Sequence, residues 1–231
     1  MIAPYYDDGT VTLYCADAFE ILPELADDSA VVITDPPYLE RTHKNSRSNR
    51  QSAKGNRAID FRHFDETELR AVLQYCGRIS KSWVVATLDY MTAFGLEQHA
   101  PPGLRVMRTG VWVKTNPTPQ ISGDRPGHGW EAISYMHVPG RTRWHGGGKH
   151  GNFVSSLATP TGHPTPKPEG MVRQFVEWFS DPGDTVLDPF AGGGTTLVAA
   201  RDLGRRAIGV ELDEKYCELI VERLAQQVIP I

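Results

Sequence analysis

The stretch Thr185-Val186-Leu187-Asp188-Pro189-Phe190-Ala191-Gly192-Gly193-Gly194-Thr195-Thr196 decides the fold. A short buried-strand run ends in an acid and a proline, and three glycines then turn the chain into a helix beginning near Thr195. Glycine tolerates positive φ and leaves no side chain between backbone and ligand. Ligands of open α/β sheets sit at such carboxyl-terminal strand ends. The next strand-like run, Ala207–Val210, is followed by Glu211, 19 residues after Gly192. An acid there can accept hydrogen bonds from both hydroxyls of a ribose. No Gly-Lys-Ser/Thr follows the glycines, which excludes a triphosphate loop, and Leu197 replaces the third glycine of the dinucleotide fingerprint. A nucleoside cofactor without pyrophosphate fits, and S-adenosyl-L-methionine is such a molecule.

Outward from that turn, five more runs read as strands: Val11–Tyr14, Val31–Thr34, Trp83–Leu88, Val111–Lys114 and Ala132–Val138. With Thr185–Leu187 and Ala207–Val210 they make seven. Helical spacing joins Leu69, Val72, Leu73 and Cys76 in Glu66–Ile79, and Val172, Phe175, Val176 and Phe179 in Glu169–Phe179. Pro168 suits a first helical turn. Asp213 is the expected N-cap of a last helix carrying Tyr216, Ile220 and Leu224. Alternating strands and helices predict an α/β fold with a mostly parallel sheet covered on both faces. The length suits one domain, 1–231, with loops at 41–62, 116–129 and 139–162.

The net charge of −4 conceals a segregation. Residues 41–163 hold 17 Lys/Arg against 8 Asp/Glu, a balance of +9, while the remainder holds 7 against 20, or −13. All eight histidines lie in that basic middle. A basic centre between acidic ends fits a protein that presents one face to a polyanion. Cys15, Cys76 and Cys217 are widely spaced and unmatched, which argues against disulfides or zinc and for the reducing cytoplasm. No apolar run reaches the roughly 18 residues of a membrane span, and no signal peptide pattern opens the chain. His137, His145 and His150 have no paired carboxylate or thiolate nearby in sequence, so no metal site is expected.

A second segment, Asp35-Pro36-Pro37-Tyr38, follows the run Val31–Thr34. The exocyclic amine of a nucleobase is a poor nucleophile because its lone pair is delocalised into the ring. Two acceptors on its two hydrogens would favour a more tetrahedral nitrogen. The Asp35 carboxylate and the Pro36 carbonyl can supply them, and successive prolines hold both in a preset geometry. Tyr38 offers a face on which a base swung out of the duplex can stack. Ring-carbon methylation of cytosine needs a thiolate instead, commonly within Pro-Cys. Each cysteine here follows a tyrosine.

On these two segments the chain resembles the bacterial and phage DNA amino-methyltransferases of the β arrangement, in which the catalytic segment precedes the cofactor loop. The resemblance implies a Rossmann-like methyltransferase sheet of seven strands, one of them antiparallel. It assigns catalysis to Asp35, Pro36, Pro37 and Tyr38, and the cofactor turn to Asp188, Phe190, Ala191, Gly192, Gly194 and Thr195. Val11 to Glu20 is similar to the family's cofactor-adenine segment, with Asp17 accepting from the adenine amino group. His163-Pro164-Thr165-Pro166-Lys167-Pro168 resembles the family's His-Pro-Thr-Gln-Lys-Pro beside the methionine portion of the cofactor, which carries over Thr165 and Lys167. Val111 to Lys114, Pro117, Trp130 and Glu131 resemble the hairpin that closes the sheet.

Double-stranded DNA is the expected partner. Arg41, Lys44, Arg47 and Arg50 follow the catalytic segment directly and are expected to neutralise phosphates at its mouth. Arg125, Arg141, Arg143 and His145 are expected to reach base edges or phosphates, and Trp130 and Trp144 to pack. Within the family Asp in the first place of the tetrapeptide goes mainly with adenine N6, and Ser mainly with cytosine N4. The expectation is therefore a site-specific adenine-N6 DNA methyltransferase. Cytosine-N4 methylation, RNA or protein-glutamine methylation, and a catalytically silent nucleic-acid-binding subunit are the alternatives. Small size points to a short target or to a homodimer that shares recognition.

Overall fold

The computed structural model describes residues 2–39, 63–117, 119–120, 123–158 and 162–226. The basic segment with Arg41, Lys44, Arg47 and Arg50 lies outside the described residues. Among those described, one nine-stranded sheet runs through the molecule in the order β1-β2-β9-β8-β3-β4-β6-β5-β7. The strands are β1 Tyr6–Asp7, β2 Val11–Cys15, β3 Ala30–Thr34, β4 Ser80–Leu88, β5 Arg105–Lys114, β6 Trp130–His137, β7 Phe153–Ser155, β8 Thr185–Asp188 and β9 Arg206–Glu211.

All seven expected strands are present, and β6 is antiparallel to both of its neighbours, β4 and β5. The other pairings within that set of seven are parallel. The expected count falls two short. The additions are β1, a two-residue antiparallel partner of β2, and β7, a three-residue parallel partner of β5. Both are too short for the alternation of apolar and polar residues to show.

Period-two alternation sends successive strand residues to opposite faces. Val31 and Ile33 of β3 belong to a core with Met171, Val172, Phe175, Val176 and Phe179, while Ala30 and Val32 face Leu69, Val72, Leu73 and Cys76. The first face is covered by α4 Glu169–Phe179, α5 Thr195–Asp202 and α6 Glu214–Ala225. The second is covered by α1 Ala18–Ile21, α2 Glu66–Ile79 and α3 Tyr90–Gln98. Every residue of β3 is buried, as a central strand in a doubly covered sheet must be.

Helix starts follow their capping chemistry. Asp65 forms a reciprocal capping box with Glu68 at α2. Asp213 accepts from Lys215 N at 2.9 Å at α6, and Asp89 accepts from Met91 N and Thr92 N at α3. Among the described residues no helix is long and apolar enough to cross a membrane.

Candidate active site

Topology brings the two diagnostic segments together. β3 and β8 are hydrogen-bonded neighbours, with Val31 opposite Val186 and Val32 opposite Leu187. Their carboxyl ends carry Asp35 and the Asp188 turn side by side, although 153 residues separate Asp35 from Asp188. A buried hydrogen bond of 2.9 Å from Thr34 Oγ1 to Asp188 Oδ1 ties the two tips. They open on one cavity of about 1310 Å³. That exceeds the usual 300–1,000 Å³ of a small-molecule site and leaves room for a nucleoside and a second planar group.

At the glycine end, Asp188 Oδ1 also accepts from Phe190 N at 3.1 Å. Burial pushes the Asp188 carboxyl up to about 6, against its hydrogen bonds with Thr196, Phe190 and Thr34. Gly192 has φ of 52°, and a Cβ there would lie 3.2 Å from His163 Nε2. Gly194, φ 77°, is the N-cap of α5, and a Cβ would meet Ile220 Cγ1 at 2.8 Å. It does not line the cavity but lets α6 pack directly behind the turn. Glu211 accepts from Gly192 N at 2.8 Å through Oε2 and from Asp213 N at 3.0 Å through Oε1. The Leu212 N–H also bonds to this carboxylate, which with about four acceptor sites keeps capacity for a ribose hydroxyl.

The remaining cofactor candidates line the same space: Asp17, Thr165, Lys167, Phe190, Ala191 and Thr195. Asp17 is the N-cap of α1 and accepts from Phe19 N at 2.9 Å. Phe190 meets Phe64 edge-on at 5.5 Å, giving one wall an aromatic lining. Thr165 N donates to His163 Nδ1 at 3.4 Å. Burial, with Lys167 and Arg223 nearby, lowers His163 to about 4, so its imidazole is neutral at pH 7. The cavity therefore combines a side-chain-free turn, an aromatic wall and a carboxylate acceptor at Glu211. Those features suit a cationic nucleoside such as S-adenosyl-L-methionine.

At the other end, Asp35, Pro36, Pro37 and Tyr38 all line the cavity. Thr87, from the neighbouring tip of β4, donates to Asp35 Oδ1. Lys167 Nζ lies 2.6 Å from Asp35 Oδ2 and 3.2 Å from Glu131 Oε2, and Lys114 Nζ lies 2.6 Å from Glu131 Oε1. Burial raises Asp35 above its ordinary value while Lys167 opposes the rise. Lys167, expected beside the cofactor, directs its ammonium at the catalytic carboxylate.

Thr87, Glu131 and Arg223 were not expected in these roles. Arg223 of α6 donates to the Gly193 carbonyl and reaches Thr195 Oγ1 at 3.4 Å, clamping the turn from behind. Glu131 carried a signal, because it stands in the hairpin resembling the family's. The Lys114–Glu131 pairing across β5 and β6 is visible only with the register known.

The candidate DNA contacts separate. Arg125 lies in the β5–β6 connection, at the end of the sheet that carries Thr87 and Glu131, and meets Asp124 at 3.2 Å. Arg143 lies at the opposite end. It pairs with Asp181, before the start of β8, at 3.1 Å, and its carbonyl accepts from Trp83 near the start of β4. Arg141 is exposed two residues earlier on the same loop. The structure thus does not bring Arg143 to the cavity mouth. Trp144 packs on Trp178 and Phe179, with ring centroids 5.5 and 5.4 Å apart.

The sequence profile of the family described as DNA methylase, of the N6/N4 type, matches residues 30–222. The Type II methyltransferase M2.DpnII of Streptococcus pneumoniae is 27% identical over 97% of this chain and 93% of its own. A candidate DNA modification methylase from Thermus thermophilus, solved with S-adenosyl-L-methionine, is 25% identical with a TM-score of 0.66, covering 92% of each chain. The cytosine-N4-specific PvuII DNA methyltransferase shares the fold, with a TM-score of 0.75 at 15% identity over 99% of this chain and 91% of its own. With the family profile spanning both strand tips and the cavity between them, the chain belongs to the DNA methylase family and is an S-adenosyl-L-methionine-dependent amino-methyltransferase.

Proposed function

We propose that Asp35 is the acceptor through which this enzyme methylates the N6 amino group of adenine at a specific site in double-stranded DNA. One observation carries the assignment: the Asp35 tip of β3 and the Gly192 turn after β8 open side by side on one cavity. S-Adenosyl-L-methionine supplies an electrophilic methyl group on a sulfonium. Asp17 and Glu211 would hold its adenine and ribose, and Thr165 would flank its methionine portion.

The chain's own groups prepare the amine. Asp35 and the Pro36 carbonyl accept hydrogen bonds from its two N–H groups, which draws the lone pair out of the ring. Thr87 fixes Asp35 Oδ1, so the carboxylate cannot rotate away. Tyr38 gives the extruded base a stacking face. The proton leaving the methylated nitrogen passes to Asp35 and then to solvent. No covalent enzyme intermediate is needed, consistent with three cysteines that are absent from the cavity lining.

Arg125 and the basic segment 41–62 are proposed as the DNA-facing cations. A single domain carries both cofactor and target sites, and the cytoplasm is the proposed compartment on the odd, unmatched cysteine count. A homodimer is the proposed way for a chain of this size to read a longer target.

Incubation with tritiated cofactor and duplex DNA, RNA or protein, followed by digestion and chromatography, tests the assignment. N6-methyladenine from duplex DNA is the expected product. N4-methylcytosine would transfer the same acceptor chemistry to the other base, and label in RNA or protein alone would remove DNA as substrate.

A further inference from the structure

Asp35 is the outer member of a row of alternating charges, Asp35–Lys167–Glu131–Lys114, whose inner side chains are only 14, 12 and 17% exposed. Buried ion pairs seldom add net stability over apolar packing of the same volume. Four in a row beside the reacting centre therefore call for another reason. We infer that Glu131 and Lys114 are positioning residues that set how strongly Lys167 binds Asp35, and so how good an acceptor Asp35 is for the target amine. The inference rests on Asp35 being that acceptor.

Electrostatics supplies the reason. A carboxylate wholly committed to an ammonium accepts weakly from a neutral amine. Glu131, on the far side of Lys167, draws the ammonium back, and its own charge raises Asp35. Lys114 moderates that pull by sharing Glu131. Burial disfavours the Glu131 charge, but Lys167 and Lys114 together hold the group down to about 2. The buried Tyr38 hydroxyl also faces Glu131 and favours its charged form. The Lys167 ammonium is thus shared between two carboxylates, at 2.6 Å from Asp35 and 3.2 Å from Glu131.

Other groups face the same place. Asp188 adds negative charge from β8, Asp89 faces Tyr38 from the start of α3, and neutral His163 adjoins Lys167. One ammonium reaches both Asp35 and Glu131, so these carboxylates lie within about 6 Å. At an effective dielectric of about 20 this is worth about two pKa units. Lys114 offsets roughly half.

The test is a pair of opposite variants. Glu131→Gln removes the charge that raises Asp35 and leaves Lys114 in place, so the Asp35 midpoint should fall by about two pH units. Lys114→Gln removes the moderating cation, so the midpoint should rise. Carbon-13 carboxyl titration of Asp35 in the protein alone reads both shifts without turnover, and Glu131→Asp should restore the wild-type midpoint in part. On duplex DNA the acidic limb of kcat should follow the midpoint, down in Glu131→Gln and up in Lys114→Gln, with KM for DNA unchanged. Thermal melting confirms folding, and Lys114→Arg replaces Lys114→Gln as a charge-conserving control that should leave the midpoint in place. Shifts of the same sign in Glu131→Gln and Lys114→Gln, or none in either, would overturn the inference. Titrations that shift as expected in a protein that makes no methyladenine would instead sink the proposed function.

Discussion

Replacing Lys167 by methionine strikes the buried charge row at its centre. Methionine keeps an unbranched chain but removes the ammonium that lies 2.6 Å from Asp35 and 3.2 Å from Glu131. Glu131 retains Lys114 at 2.6 Å, whereas Asp35 retains only the Thr87 hydroxyl among its described side-chain donors. Breaking a buried pair by deleting one partner costs about 3–5 kcal/mol. The Asp35 side chain is 32% exposed, so water recovers part of that. A loss of about 2–3 kcal/mol remains at pH 8, which for a chain of this size lowers the melting midpoint by roughly 5–10 °C.

The pH dependence carries the sharper information. Without Lys167 the folded-state pKa of Asp35, already raised by burial, rises further. A carboxyl raised in the folded state takes up its proton there first, so stability returns as pH falls through that raised value toward the ordinary one. Thermal denaturation of wild type and Lys167→Met at pH 8 and pH 5 should show a deficit that shrinks at the lower pH. Equal deficits at both values, or none at pH 8, would refute the pairing.

Gly194→Ala should destabilise by about 2–4 kcal/mol in urea denaturation, from the left-handed backbone and the approach to Ile220 Cγ1. Asp188→Asn exposes a compensation. Burial raises Asp188 to about 6, so the wild type gains stability from it as pH falls from about 6 toward 4. Burial lowers His163 to about 4, so the wild type loses a similar amount between about pH 6.5 and 4. The variant should keep only the second effect and lose stability on acidification by roughly 2–3 kcal/mol more than wild type; parallel urea titrations at pH 7 and 4.5 would show otherwise if Asp188 were already exposed. Glu211→Gln keeps one oxygen for Gly192 N but loses the charge, so calorimetry should find cofactor affinity roughly 10–100-fold weaker. Unchanged affinity would remove Glu211 from the ribose.

How much of this could be seen in the chain depends on what each residue answers to. Central strands such as Val31–Thr34 and Thr185–Leu187 are buried on both faces, so they read as continuous apolar runs. Glycines at 192 and 194 and the acid at 211 are constrained by backbone shape and by spacing, both local properties. Helix α3 leaves no clear signal because it buries Ala93 and Leu96 yet exposes Tyr90, Met91 and Phe94, which blurs any single apolar stripe. Only the last four residues of strand β5 read as a strand, since Arg105, Arg108 and Thr109 are exposed or half-buried near the sheet edge. Thr87 and Glu131 reach Asp35 through pairing of β3, β4 and β6, and Arg223 reaches Gly193 through helix packing. Such contacts follow from register and topology, which no local pattern encodes. Arg143 illustrates the converse. Its basic, glycine-rich surroundings suggested DNA contact, but the chain folds that loop under the amino-terminal ends of the strands.

The most direct test is methyl transfer by Asp35→Ala, with cofactor affinity measured by calorimetry on the same preparation. Removing the carboxylate should abolish labelling of duplex DNA while cofactor binding, held by the Gly192 turn and Glu211, persists. Labelling of adenine at the wild-type rate by a protein without the Asp35 carboxylate would contradict the account.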